Sequence, residues 1–217
     1  MSSFPGSPRL IKGALIAIDP LVPIPNVILF QYNPDTMTRR LDARSTSGDN
    51  SDRAEAFRLI GPPKETITLS VEIDATDQLE RNDSRAATVG IHPALAALEV
   101  LLYPASETII QNAGLAKNGE MDVMPPEAPL SLLVWGPLRV LPVRLTGFSV
   151  TEEAYDTALN PIRAKVELSM QVLSTLDLKT DHIGYELFMA HHIAKEILAK
   201  SNLGGSPLNL GASVRLF

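Results

Sequence analysis

The sequence predicts a mainly β protein of packed antiparallel sheets, with one flanking helix and a second helix near its C-terminal end. The 217 residues include 17 prolines and 13 glycines but only 5% aromatic residues, which favours many short elements over a helical bundle. Residues 66–74 (TITLSVEID) and 161–174 (PIRAKVELSMQVLS) alternate apolar and polar side chains, the period of a strand with one buried face. Only 94–103 and 182–201 show the helical period over an appreciable length.

The first third of the chain contains three shorter predicted strands. Residues 11–19 (IKGALIAID) are apolar and are followed by three prolines, which interrupt sheet pairing. A second strand covers 26–32 and reaches the turn-forming pair Asn33-Pro34, after which 37–41 leads back out. The sequence therefore predicts a turn at Asn33-Pro34 between these two segments.

The other predicted elements follow from the same two periods. Gly147 interrupts the alternation of 139–155 and predicts a bulge. The turn 156–161 then makes 139–155 and 161–174 a long antiparallel hairpin. Further expectations are polar or irregular loops at 43–59, 75–90 and 104–129, an apolar strand at 130–136, a helix end at Gly204-Gly205, and a tail at 206–217 that docks on this chain or a neighbour. The predicted units are a β domain at 1–176 and a C-terminal helix with tail at 177–217.

Composition excludes several function classes. The chain has no cysteine, so disulfides, thiolate zinc sites and cysteine nucleophiles are excluded. Its formal net charge of -6 and its scattered basic residues argue against nucleic acid as a partner. The N-terminal sequence lacks the layout of a signal peptide, and no apolar run approaches the roughly 20 residues that span a bilayer. We expect a soluble protein that does not insert into membranes.

Histidines on the last helix are the first candidates for catalytic or metal chemistry. His192 and Glu196 have the i, i+4 spacing that places two ligands on one helix face. However, His191 and His192 are neighbours and point about 100° apart on a helix, so both cannot join one site. We interpret them, together with His182, as solvated or capping side chains, and we predict neither a metal nor a cofactor.

Acidic clusters and the single tryptophan are the remaining candidates for a site. Two acidic clusters occur: Asp74, Asp77 and Glu80; and Glu152, Glu153 and Asp156. Both lack the alternating acidic pattern and the glycine of a calcium-binding loop, and carboxylates at loop ends often only aid solubility. No GxSxG, GxxxxGK[ST], GxGxxG or HExxH motif is present, so we do not expect an enzyme. Trp135, next to Gly136, is more simply a packed core residue than a ligand anchor. The basic group of Arg39, Arg40 and Arg44 lacks the interleaved aromatic residues of a protein that binds single-stranded nucleic acid.

Five short motifs, in order, resemble one family. They are the FQYNP of 30–34, the LSVEIDAT of 69–76, the PLSLLVWG of 129–136, the LTGFSVTEEAY of 145–155 and the NPIRAKVELSM of 160–170. Together they resemble the tube and baseplate-tube adaptor proteins of contractile injection systems, which are phage-tail-like particles. The matching pieces fall within 11 to about 176, most of the chain.

The resemblance implies a tail-tube-like β-sandwich or barrel that assembles as a sixfold ring and joins the spike hub to the inner tube. It implies that Asn33-Pro34 closes the first hairpin and that the arginine-bearing strand lies at a subunit surface. Expected partners are other copies of the chain and the tube, hub, baseplate and sheath proteins, assembled in the cytoplasm into a particle that is released or held at a membrane. The suspected subunit-interface residues are Arg39, Arg40, Arg163, Lys165 and Glu167.

Three alternatives remain open. An inner-tube subunit would stack into long cylinders when expressed alone, whereas an adaptor would stop at one ring or need its hub. A ligand-binding β-sandwich would be monomeric with a concave aromatic face, and an enzyme would depend on residues such as His192 and Glu196. Many adaptor relatives continue into a LysM peptidoglycan-binding module, and nothing after residue 176 resembles one, so contacts of that kind are not expected.

Overall fold

The computed structural model describes residues 11–18, 26–45, 59–117 and 129–201. These ranges contain seven strands, five α-helices and one 3-10 turn. The strands are β1 (Ala14–Ile18), β2 (Asn26–Leu29), β3 (Met37–Asp42), β4 (Lys64–Asp74), β5 (Leu130–Val134), β6 (Val140–Tyr155) and β7 (Pro161–Val172). The helices are α1 (Thr76–Glu80), α2 (Ser84–Val89), α3 (His92–Glu99), α4 (Ser106–Lys117) and α5 (Ile183–Ser201), with the 3-10 turn at Val100–Leu102.

All seven strands join one antiparallel sheet in the order β2-β1-β5-β6-β7-β4-β3. The predicted mainly β, antiparallel fold with a C-terminal helix is therefore confirmed. The 16-residue β6 lies at the centre, because its first residues pair with β5 and the rest pairs with β7. A register shift between Leu145 and Gly147 marks the predicted bulge.

The core follows the alternation read from the sequence. On β4 the residues Ile67, Leu69, Val71 and Ile73 are buried, while their neighbours from Thr66 onward point to the other face. The matching residues of β7 are fully buried and lie opposite them across the ladder: Ala164, Val166, Leu168 and Met170. Helix α3 buries Leu95 and Leu98 against this core, as its helical stripe predicted.

The predicted hairpin of 26–32 with 37–41 is wrong. Within the described residues β2 pairs with β1 and β3 pairs with β4, so the two strands lie at opposite margins of the sheet order. The connection 30–36 links them across the molecule rather than reversing the chain between neighbours. Asn33 is used in another way, described below.

Two of the predicted loops contain helices. Residues 75–90 form α1 and α2, and Asp83 caps α2 by accepting hydrogen bonds from the amides of Arg85 and Ala86. Residues 104–129 include the 12-residue α4, none of whose residues is buried. Of the loop predicted at 43–59 the structure shows a bridge between Ser45 and Leu59. Residues 46–58 and 118–128, the predicted end at Gly204-Gly205 and the tail 206–217 lie outside the described residues.

Helix α5 matches its predicted position and packs on the start of β6. Gly184 and Phe188 are its buried residues, and a Cβ added at Gly184 would lie 3.4 Å from the Cβ of Pro142. The domain division at residue 176 stays a prediction. Within the described ranges no single helix has the length and apolar character to cross a bilayer, although α3 with its 3-10 turn and α4 meet that length and composition test as a bent pair.

Candidate assembly interface

One side of the sheet presents a broad hydrophilic surface, here called the polar face. It consists of the outward-pointing residues of β3, β4, β7 and the second half of β6. Because each strand alternates, this face is directly behind the buried core face. Its members, placed by the strand registers, are Thr38, Arg40 and Asp42 on β3; Thr66, Thr68, Ser70, Glu72 and Asp74 on β4; Arg163, Lys165, Glu167 and Ser169 on β7; and Ser149 and Thr151 on β6. Gln171 lies in the same row of β7 but is buried.

Charges of both signs lie opposite each other on the polar face. Lys165 is directly across from Glu72, and Arg163 is across from Asp74, to which its guanidinium Nη2 binds at 2.8 Å. Burial raises the pKa of Asp74, but the hydrogen bonds from Thr76 and Arg163 outweigh it and hold that pKa below its ordinary value. The polar face thus combines basic side chains from β3 and β7 with acidic side chains from β3, β4 and β7.

The structure brings four of the five suspected interface residues onto this face. Arg163, Lys165 and Glu167 are exposed and follow one another at alternate positions of β7, and Arg40 lies on β3 with 77% of its side chain exposed. Arg39 points the other way, since neighbouring residues of a strand face opposite sides.

Arg39 belongs instead to a cluster that we call the α5 junction: Arg39, Glu65, Leu138, His191 and Lys195. The Arg39 Nη2 lies 2.6 Å from the Oε1 of Glu65, and the Lys195 Nζ lies 3.5 Å from its Oε2. Only 6% of the Glu65 side chain is exposed. One buried carboxylate thus binds a cation from β3 and another from α5, which ties the helix to the sheet.

The outer margins of the sheet are the strands β2 and β3. In the described part of the chain each of them pairs on one side only, so each leaves backbone groups available for a further strand. Exposed apolar side chains accompany these margins: Val27 is 50% exposed, Leu29 62% and Leu41 50%. Such exposed apolar side chains on an unpaired margin favour contact with another chain.

Two polar side chains of the 30–36 connection replace missing strand pairing, which sequence reasoning did not anticipate. The Gln31 Nε2 donates to the Asp74 carbonyl at 2.6 Å, and the Asp74 amide donates to the Gln31 Oε1 at 3.0 Å. The Gly13 amide donates to the Asn33 Oδ1 at 2.8 Å, and the Asn33 Nδ2 donates to the Ile11 carbonyl at 2.9 Å. Each amide thus imitates one rung of a ladder.

The other sequence candidates have structural partners. Trp135 is half-buried and packs near Phe30, with ring centroids 6.4 Å apart. The Asp156 carboxylate accepts from the backbone of Ala158 and Asn160 in the hairpin turn, and the side-chain and backbone hydrogen bonds of Asn160 hold its pKa below the ordinary value. The exposed candidates on the surface are Asp77, Glu80, Glu152, Glu153 and His182.

The predicted histidine pair separates as the helical angle requires. His192 stacks on Phe188 and lies 3.3 Å from Glu196, whereas His191 faces the β5–β6 turn, where its Nδ1 is 3.1 Å from the Leu138 carbonyl. Among the described residues no group of three His, Cys, Asp or Glu side chains is placed to hold a metal ion.

A cleft of about 860 Å³ lies between β2, the end of β4 and helices α1 to α3. Phe30 is the only aromatic residue among its described lining, and charged groups such as Lys12, Asp77 and Arg81 surround the apolar floor. Aromatic platforms are what a carbohydrate-binding face would need. The lining therefore does not favour the ligand-binding alternative.

No protein-family model and no curated protein matches the chain. Among solved structures, it is similar to a chain of the virion of a native gene transfer agent particle. The two are 11% identical, and the match covers 73% of this chain and 89% of the other with a TM-score of 0.28. A TM-score that low does not show that the two chains share a fold.

Proposed function

We propose that this protein is a structural ring subunit of a phage-tail-like contractile injection particle, serving as the adaptor between the spike hub and the inner tube. The single observation that carries the proposal is an open sheet in which, among the described residues, each marginal strand pairs on one side only, combined with one continuous polar face. A strand at one margin can pair with the opposite margin of the next copy. Repetition of that heterologous contact gives a closed ring when the rotation between copies is correct.

We assign the lining of the ring's central channel to the polar face, which is formed by β3, β4, β7 and β6. Paired charges such as Glu72 with Lys165 and Asp74 with Arg163 leave little net charge on the surface. Hydroxyl side chains such as Thr68 and Ser149 complete the surface. A channel lined in this way binds neither strongly acidic nor strongly basic cargo, which suits a conduit through which molecules must pass.

The inner-tube alternative uses the same ring and differs only in stacking. Helix α4 favours the adaptor role, because none of its 12 residues is buried within the described part of the chain, which leaves the helix available to a partner surface. A plain stacking subunit would meet mainly copies of itself. An adaptor requires additional contacts with unlike proteins.

The test replaces Val27 and Leu29 on the β2 margin by lysine. Both are at least half exposed, so the subunit should keep its stability within about 0.5 kcal/mol. The new charges should nevertheless block the addition of a neighbouring strand. Leu159→Lys, at a turn residue that is 78% exposed, is the matched control.

The measurement is the fraction of ring-sized particles by light scattering and electron microscopy, with hub and tube proteins present. The proposal expects rings from wild type and the Leu159 variant, and loss of rings from the double β2 variant with an unchanged melting temperature. Rings from all three proteins would exclude the β2 margin as the subunit contact. Absence of the wild-type protein from any hollow particle would reject the function itself.

A further inference from the structure

Among the described residues, one hydrogen bond joins helix α5 to the β5–β6 turn, and His191 makes it. The His191 Nδ1 lies 3.1 Å from the Leu138 carbonyl, and this distance fits a neutral ring that carries its proton on Nδ1 and donates it. The Nε2 of the same ring is buried and has no hydrogen-bond partner within the described part of the chain. A neutral ring tolerates this arrangement because only a lone pair is left without a donor.

The charged groups around His191 disfavour a second proton. Lys195 comes from the next turn of α5 and Arg39 from β3, and both already bind the one carboxylate of Glu65 on β4. Burial is the largest effect and, with Lys195 and then Arg39, lowers the pKa of His191 below its ordinary 6.5, while the Leu138 carbonyl and Glu65 act in the opposite direction. On the turn itself, Arg139 points its guanidinium at the Met37 Sδ, 3.5 Å away.

We propose that α5 is an acid-releasable element, in which a proton on the His191 Nε2 detaches the helix from the sheet. The protonated ring would hold a buried N–H without an acceptor and would add a third cation beside a single carboxylate. Detachment relieves both, because the free ring is hydrated. The proposal is independent of the ring function.

The sign follows from the two states of the histidine. Its pKa is lower in the attached helix than in the detached one, so the attached state binds fewer protons. Attachment is therefore fully retained above about pH 6.5 and weakens as the pH falls below that value toward the lower pKa. Detachment uncovers the buried Phe188 and the surface of Pro142, which gives a partner access only under acidic conditions.

The test is hydrogen exchange of the full chain measured by mass spectrometry between pH 7.5 and 5, corrected for the intrinsic pH dependence of exchange. We expect protection of the α5 amides to fall roughly tenfold while β7 stays protected. His191→Asn keeps a donor near the Nδ1 position but cannot gain the proton, so its α5 protection should not change with pH. His192→Asn is the matched control, since His192 is exposed and contacts Phe188, and it should behave as wild type.

A second variant covers the case in which His191→Asn fails to hold α5 even at pH 7.5. Lys195→Gln removes the strongest cationic neighbour, so the acid-induced loss should be smaller than in wild type. Constant wild-type protection would overturn the proposal. An acid-induced loss of α5 protection in His191→Asn as large as in wild type would also overturn it. If α5 of His191→Asn is already detached at pH 7.5, the deciding result is Lys195→Gln, and an acid-induced loss of protection as large as in wild type would overturn the proposal.

Discussion

Removal of the Gln31 amide tests the hydrogen-bonded link between the segment after β2 and the end of β4. Gln31→Ala deletes a donor 2.6 Å from the Asp74 carbonyl and an acceptor 3.0 Å from the Asp74 amide. No other side chain of the connection reaches the end of β4 in the described hydrogen bonds. The substitution therefore acts on one defined link between the β2 end and β4.

The expected loss is about 2 kcal/mol of unfolding free energy. Each hydrogen bond contributes about 1 kcal/mol, and a backbone group left without a partner costs about 1–3 kcal/mol when buried. Gln31 and Asp74 are only half-buried, so water replaces part of what is lost. For a chain of 217 residues the melting temperature should fall by about 4–8 °C.

Urea unfolding followed by circular dichroism at pH 7 measures this loss. Gln78→Ala, an exposed position on α1, is the matched control and should stay within about 0.5 kcal/mol of wild type. Gln31→Glu keeps the acceptor but places a carboxylate against the Asp74 carbonyl, so it should not restore stability. A Gln31→Ala protein as stable as the Gln78 control would refute the view that this side chain links the end of β2 to β4.

Two further predictions concern local geometry. Gly90→Ala should cost about 3 kcal/mol in urea unfolding, because the residue has φ +57 and an added Cβ would lie 2.2 Å from the Pro161 carbonyl oxygen, whereas Gly114→Ala, with open space around it, should cost nothing. Asp156→Ala should lower the melting temperature at pH 7, and the melting temperature of this variant should fall less on acidification than that of wild type. The folded pKa of Asp156 is depressed by Asn160, so its contribution is present above about pH 3.9 and is lost as the pH falls through the folded pKa. If the melting temperature of wild type falls no more on acidification than that of the variant, the Asp156 carboxylate does not stabilise the fold in this way.

The long strands were predictable because their alternation of apolar and polar side chains marks the buried face. The position of α5 was predictable from its helical period, although among its residues only Gly184 and Phe188 are buried. Residues 161–174 alternate almost without interruption, and five of their apolar side chains are at 0–3% exposure: Ala164, Val166, Leu168, Met170 and Val172. Which strands pair with each other was harder to predict from the sequence. The Asn33-Pro34 pair is a strong turn signal, yet here the turn leads across the molecule, since β3 pairs with β4 and β2 pairs with β1.

The missed helices lack the signals that reveal a helix. Helices α1 and α2 have five and six residues, too few for a repeated stripe, and α4 buries no residue against the described chain. The alternation of β3 did contain one overlooked signal. Arg39 and Arg40 are neighbours on a strand, so they had to face opposite sides, and only Arg40 belongs to the polar face.

The most direct test of the central claim is electron microscopy of the purified chain, alone and mixed with the hub and tube proteins of its particle. The account predicts closed annular particles whose class averages show sixfold symmetry, with the surface of β7 facing the central opening. A protein that remains a single copy under both conditions would contradict it.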